Sequence, residues 1–321
     1  MTSNPAEAAK GGSLRAVIDI GTNAVKMLVG RVSAGDIVPI CEDNEQTRLG
    51  RGLYQDQILR QDSIEATIQA VSRFTRRARE QGAESVRVIA TSAVREARNA
   101  DLLVQAITRA TGLKVEVISG DTEARLAFQG VTAHSQLGAG PMLILDAGGG
   151  STEFILGHGE RCDFSQSFPL GAVRMLEGFP HSDPPGLAAR EVCLRQTTTF
   201  LKTRVYPVLD PFLRETPPKF LVGTGGSAVI LARIDRRLAQ FDREQIEAVQ
   251  LTRNQVTQQV TRLWESTLEE RRKMPGLPPE RADIIIMGGI IYQAVMETFG
   301  LEELRVSTRG LRFAALLGLG T

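Results

Sequence analysis

Apolar positions along this chain of 321 residues fall into short runs and helical stripes that succeed one another twice. The run Ala16-Val17-Ile18 ends on Asp19-Ile20-Gly21-Thr22-Asn23, and residues 14–19, 25–31 and 37–41 are predicted as three short strands turning at Gly21 and Gly35. Residues 63–81 carry Ile64, Ile68, Val71 and Phe74 at helical spacing, with Gly82 at the end. A strand at 86–90, a helix at 101–111 and a strand at 115–119 follow. The plan then repeats. Residues 142–145 and 154–156 form a strand pair around a glycine loop, helices are predicted at 188–205 and 254–268, and strands at 220–222 and 284–287. Gly288-Gly289 leads into a helical stretch over 290–299. Two rounds of strand, glycine loop and helix predict two related α/β halves facing each other across a cleft.

The loops carry the candidate chemistry. Both begin with an aspartate at a strand end, Asp19 before Gly21-Thr22-Asn23 and Asp146 before Gly148-Gly149-Gly150-Ser151-Thr152-Glu153. Glycines let backbone N–H groups converge on phosphate oxygens without Cβ interference. Ser151 and Thr152 add hydroxyl donors. Asp146 and Glu153 return to the same mouth across a hairpin, which makes them a Mg²⁺ pair, with Asp19 as a third ligand.

Three further segments remain open to two readings. In Ser119-Gly120-Asp121-Thr122-Glu123-Ala124, Ser119 or Asp121 can cap a helix and Glu123 can serve its dipole, or Glu123 can take a proton from an attacking water. Arg95, in Thr91-Ser92-Ala93-Val94-Arg95, is a phosphate clamp or a surface arginine. Gly223-Thr224-Gly225-Gly226-Ser227 cradles an anion or allows close packing. Arg73, Arg76, Arg77 and Arg79 share one helix and read as a solvated face. His134, His158 and His181 lack metal-site spacing.

Composition removes several classes of function. A net charge of +1 does not support binding of nucleic acid or membrane through global charge. Cys41, Cys162 and Cys193 are odd in number and widely spaced, so a reducing, cytoplasmic setting is expected. Residues 1–13 are expected to be a disordered leader without a signal-peptide core, and no apolar run reaches membrane-spanning length.

With these motifs in place, the chain resembles the exopolyphosphatase/guanosine pentaphosphate phosphohydrolase family, within the actin, sugar-kinase and heat-shock-protein ATPase superfamily. The likeness rests on 19–23, 91–95, 119–124 and 146–153, then Leu170-Gly171-Ala172-Val173-Arg174, 223–227, Arg281-Ala282-Asp283 and Gly310-Leu311-Arg312. It implies two actin-like, ribonuclease H-like α/β domains: 14–121 with about 305–321, and 122–304. A terminal helix after Gly310 is expected to cross back onto the first. It further implies that Glu123 is the catalytic base, that Asp146 and Glu153 ligate Mg²⁺, and that Arg95 contacts substrate phosphate. Lys26 is a looser match to a basic residue after the first loop. With Gly21, Thr22, Asn23, Lys26, Gly148, Gly149, Gly150, Ser151, Thr152 and Gly225 around the phosphates, the implied activity is Mg²⁺-dependent release of orthophosphate from inorganic polyphosphate. Guanosine pentaphosphate is the alternative substrate, and sensing without turnover or kinase activity are rival readings. A homodimer is expected from the resemblance alone. Two departures stand out: Ala24 replaces a hydroxyl common in relatives, and Phe313 follows Arg312 where relatives carry glutamate. The chain resembles the short form without the added His-Asp helical domain.

Overall fold

The computed structural model describes residues 12–133, 137 and 140–318, and the chain divides into two compact units, Met1–His134 with Leu311–Thr321 and Ser135–Gly310. Residues 1–11 of the expected leader and His134 lie outside the described residues, whereas Ser13 already belongs to the first strand.

Unit 1 begins with β1 (Ser13–Ile20), β2 (Val25–Ser33) and β3 (Asp36–Glu45). The short α1 (Leu53–Asp56) precedes α2 (Gln61–Glu80). Then come β4 (Ser85–Ala90), α3 (Ser92–Glu96), α4 (Ala100–Thr111), β5 (Val115–Val117) and α5 (Gly120–Thr132). The sheet runs β3-β2-β1-β4-β5, with antiparallel hairpins on one side of β1 and parallel strands on the other. Alternation along the strands sends residues to two cores. Ile18, Met27 and Val88 pack with Ile64, Val71 and Phe74 of α2 and Leu103 and Ile107 of α4. Val17, Leu28 and Ile89 pack instead with Leu126 of α5 and with Leu311, Phe313 and Leu316 of the C-terminal helix Leu311–Leu316. Full burial of each such side chain is worth about 1.5–3 kcal/mol.

That second core moves the expected boundary. It falls after His134 and before Leu311, not at 121 and about 305. Leu126 ties α5, and with it Glu123, to the sheet of unit 1. The return of the terminal helix to the first unit occurs as expected. Phe313, the departure from the relatives' glutamate, is only 2% exposed and fills this core.

Unit 2 opens with β6 (Met142–Ala147), β7 (Thr152–His158) and β8 (Arg161–Phe168). Next are α6 (Ala172–Gly178), α7 (Gly186–Phe200), a π turn at Leu201–Val205 and α8 (Tyr206–Glu215). They are followed by β9 (Phe220–Thr224), α9 (Gly225–Arg236), α10 (Arg243–Glu247) and β10 (Gln250–Thr252). The chain continues through α11 (Arg253–Glu265), α12 (Leu268–Arg272), α13 (Ile285–Phe299) and β11 (Glu303–Val306). The sheet order β8-β7-β6-β9-β11 repeats the plan of unit 1, with β10 added at the edge. Residues 305–310 stay in unit 2 because β11 pairs with β9.

The strand expected at 284–287 is helical, the first turn of α13. An unbroken apolar run reads equally as a buried strand or a buried helix, and here all of Ile285–Met296 is buried. Gly288 and Gly289 lie inside this helix, where a Cβ would overlap Ser227 and crowd Val260, so they serve close packing within unit 2. Among the described residues, no helix is long and apolar enough to cross a membrane.

Candidate active site

The two glycine loops are built alike. Gly21 N donates to Ala24 O and Gly148 N to Ser151 O, each at 3.0 Å, closing a tight turn after an aspartate-bearing strand. In unit 2 the loop carbonyls are all engaged. Gly148 O accepts from Ala172 N at 3.0 Å, Gly149 O from Val173 N and Arg174 N at 2.8 and 3.1 Å, and Gly150 O from Arg174 Nε at 2.8 Å. A trans peptide points its N–H opposite to its carbonyl. The N–H groups of Gly149, Gly150 and Ser151 therefore point away from α6, three successive donors of the kind that suits an oxyanion. Gly171 is required at the start of α6 because a Cβ there would overlap the backbone of Gly149 and Gly150.

Unit 1 repeats the device with another support. Thr22 O accepts from Gly50 N at 2.7 Å and Asn23 O from Arg48 N at 3.0 Å, so the N–H groups of Asn23 and Ala24 turn the opposite way. The side chains of Thr22 and Asn23 are buried, and Asn23 Nδ2 donates to Gln46. What this loop leaves open is backbone rather than side chain. The same holds for Thr152, expected to offer a hydroxyl to phosphate: it is fully buried and donates to the Leu170 carbonyl. The sheet packing of β7 overrides the motif.

Register separates the two loops chemically. Asp146 pairs with Glu153 across the β6–β7 hairpin, while Asp19 pairs with Lys26 across β1–β2. Directly opposed residues project from the same face. Unit 2 thus presents two carboxylates and unit 1 a carboxylate beside an ammonium. Burial pushes the Asp19 carboxyl above its ordinary range, opposed by the charges of Lys26 and Arg312. Its Oδ1 is buried without a hydrogen-bond partner. Glu153, 1% exposed, accepts from Ser167 Oγ at 2.7 Å. Hard carboxylate oxygens of this kind suit Mg²⁺, which is held by one or two carboxylates and otherwise keeps waters. Among the described residues no group of three or more His, Cys, Asp or Glu gathers. Within unit 2 the donor set on offer is the pair Asp146 and Glu153.

Asp146 also borders the β9–α9 junction. Gly225 has φ +80°, and a Cβ there would overlap Asp146 Oδ1. Gly225 is a glycine for this close approach, and at Gly226 a Cβ would stand 2.6 Å from Arg281 Nη2. Gly223 packs against Ala228, Tyr292 and Leu304, so part of the motif is packing, inside unit 2. The sequence reading missed Tyr292. Its hydroxyl lies 3.0 Å from the carbonyls of Leu145 and Thr224, pinning the ends of β6 and β9. Burial, reinforced by the Asp146 charge, raises its pKa well above the ordinary tyrosine value. No motif flagged it, because its partners are far away in sequence.

Glu123 and Arg95 come together in unit 1. Ser119 caps α5, accepting from Thr122 N at 3.1 Å, so Glu123 stands in the first turn. Arg95 Nη1 donates to Glu123 Oε2 at 3.1 Å and to Ile118 O at 2.8 Å. The two side chains are 24% and 12% exposed. Asp121 does not cap the helix.

Two sheets of order 3-2-1-4-5, each with a glycine turn after its first strand and acidic or basic groups at its rim, define a phosphate-handling protein of actin-like architecture. Residues 28–319 match the model of the Ppx/GppA phosphatase family, and the chain belongs to that family. It is a hydrolase. The chain is 29% identical over 320 residues to exopolyphosphatase 2 of Mycobacterium tuberculosis, covering 95% of this chain and 98% of that one. It superposes with a TM-score of 0.78 on the crystal structure of the Aquifex aeolicus Ppx/GppA family member, at 30% identity and over 96% and 97% of the two chains. The crystal structure of an exopolyphosphatase from Cytophaga hutchinsonii gives a TM-score of 0.86 at 25% identity, over 96% and 98%.

Proposed function

We propose that this protein is an exopolyphosphatase, releasing orthophosphate from the end of inorganic polyphosphate by attack of water on the terminal phosphoanhydride. The observation that carries the reading is the outward set of N–H groups on Gly149, Gly150 and Ser151, fixed by the bonds of their carbonyls to α6. Backbone donors held in advance stabilise charge developing on phosphoryl oxygens without reorganising during reaction. The asparagine loop of unit 1, through the N–H groups of Asn23 and Ala24, supplies donors of the same kind. Glu123 orients the attacking water and takes its proton, and Arg95 holds that carboxylate through Oε2 while placing positive charge beside it. Asp146 and Glu153 would hold Mg²⁺, which supplies Lewis-acid neutralisation of phosphate charge. The relatives named as exopolyphosphatases support polyphosphate as substrate.

The test is phosphate release with Mg²⁺ from long-chain polyphosphate, guanosine pentaphosphate and ATP, beside Glu123→Gln. Release from polyphosphate, reduced about 10²–10⁴-fold in the variant, is the expected result. Release from guanosine pentaphosphate alone would reassign the substrate. Near-normal turnover in the variant would remove Glu123 as the base, and binding without release would leave a sensor.

A further inference from the structure

The arginine-rich face of α2 divides into two. Arg73 pairs with Glu45 at 2.5 Å and Arg77 with Asp43, so these two are spent on β3. Arg76 and Arg79 turn instead to a groove of about 510 Å³ lined by Ser72, Thr75, Glu80, Ala110 and Thr111, between α2 and α4. Ser72, Thr75, Arg76 and Arg79 recur at the three- and four-residue spacing of one helical face. Thr75 is the unusual member. It is 3% exposed, and its Oγ1 is buried with no hydrogen-bond partner.

We propose that this groove is a second anion site, binding a phosphate group either free or within a polyphosphate chain. Guanidinium N–H groups suit phosphate oxygens in a bidentate manner, and the hydroxyl of Ser72 adds an O–H donor on the same face. Glu80, 3.7 Å from Arg76 Nε, opposes an anion. Two guanidiniums against this one carboxylate keep the groove cationic. The carbonyl end of α4 also disfavours an anion, and Arg79 Nη2, 3.5 Å from Thr111 O, offsets it. The site is separate from the glycine loop of unit 1. Ser63, which donates to Arg48 O beside that loop, precedes Thr75 on α2 by about 18 Å at a rise of 1.5 Å per residue.

The experiment is arginine-directed labelling of the whole protein with phenylglyoxal, mapped by peptide mass spectrometry. It is run in the Glu123→Gln background so that polyphosphate is not consumed. Inorganic phosphate, tripolyphosphate and long-chain polyphosphate are added separately. At least one should slow labelling of Arg76 and Arg79 several-fold while the exposed Arg195 and Arg214 label as before. Protection by orthophosphate marks a site for the free ion, and protection by the chains alone marks a chain anchor; both uphold the proposal. In Ser72→Ala, which removes the groove's hydroxyl donor, the same protection should need several-fold more probe. Unchanged labelling with all three probes, or undiminished protection in Ser72→Ala, overturns it. Labelling reads binding without turnover, so failure of the hydrolase reading leaves this result intact.

Discussion

Arg95 and Glu123 form a half-buried ion pair at 3.1 Å, joining α3 to the first turn of α5. From sequence they read as separate devices, a phosphate clamp and a base. In the fold they are one unit, with the Ile118 carbonyl as a third member. A pair this shielded is less screened than one on the open surface. Arg95→Gln should lower kcat about tenfold or more, and Arg95→Lys, which keeps the charge beside Glu123, should recover part of it. A loss confined to KM would show that Arg95 does not act through Glu123.

The register pair Asp146–Glu153 predicts a metal phenotype. Glu153→Gln should raise the Mg²⁺ concentration for half-maximal rate by at least about tenfold, whereas Lys26→Met, at the equivalent position of the other loop, should not. Titration of activity with Mg²⁺ after chelation separates the two. Equal metal dependence in both variants would remove the pair from that role.

Gly171 and Arg174 hold the glycine loop of unit 2 from behind. Gly171→Ala puts a Cβ into the Gly149–Gly150 backbone and should cost about 1–3 kcal/mol together with most of the activity. Gly178→Ala, with nothing within 4 Å, is the control and should be close to neutral in thermal denaturation. Arg174→Ala frees the Gly150 carbonyl from its side-chain donor, and kcat should fall about tenfold with a smaller change in KM. A loss confined to KM would point to a binding role instead.

Tyr292 predicts an alkaline limit. An acid whose folded pKa lies above its unfolded value of about 10 contributes stability that is complete below pH 10 and is lost as pH rises beyond it. Tyr292→Phe should flatten that alkaline loss of stability and cost about 1 kcal/mol at neutral pH through the missing hydrogen bonds. Denaturant unfolding of both proteins between pH 7 and pH 11 is the measurement, and parallel pH curves would contradict it.

The order of elements was legible because period and punctuation are local. The stripe Ile64, Val71, Phe74 predicts α2, and the aspartate–glycine turns after apolar runs mark both loops. The spacing of Asp146 and Glu153 across one hairpin even placed that carboxylate pair, since register around a short turn leaves little freedom. What failed depended on partners distant in the chain. The segment 284–287 is helical because apolar neighbours surround it on every side, which its own residues do not encode. The Thr152 hydroxyl was lost to the Leu170 carbonyl. Glu123 fell in unit 1 because Leu126, three residues on, packs against Val17 and Leu28. The sequence by itself determined the two-fold repeat, the glycine loops and the acids beside them, because these rest on backbone sterics and short-range spacing. Only the tertiary structure decided which loop donors face outward, where the unit boundary falls and that Arg95 meets Glu123, because each follows from contacts that burial creates between distant segments.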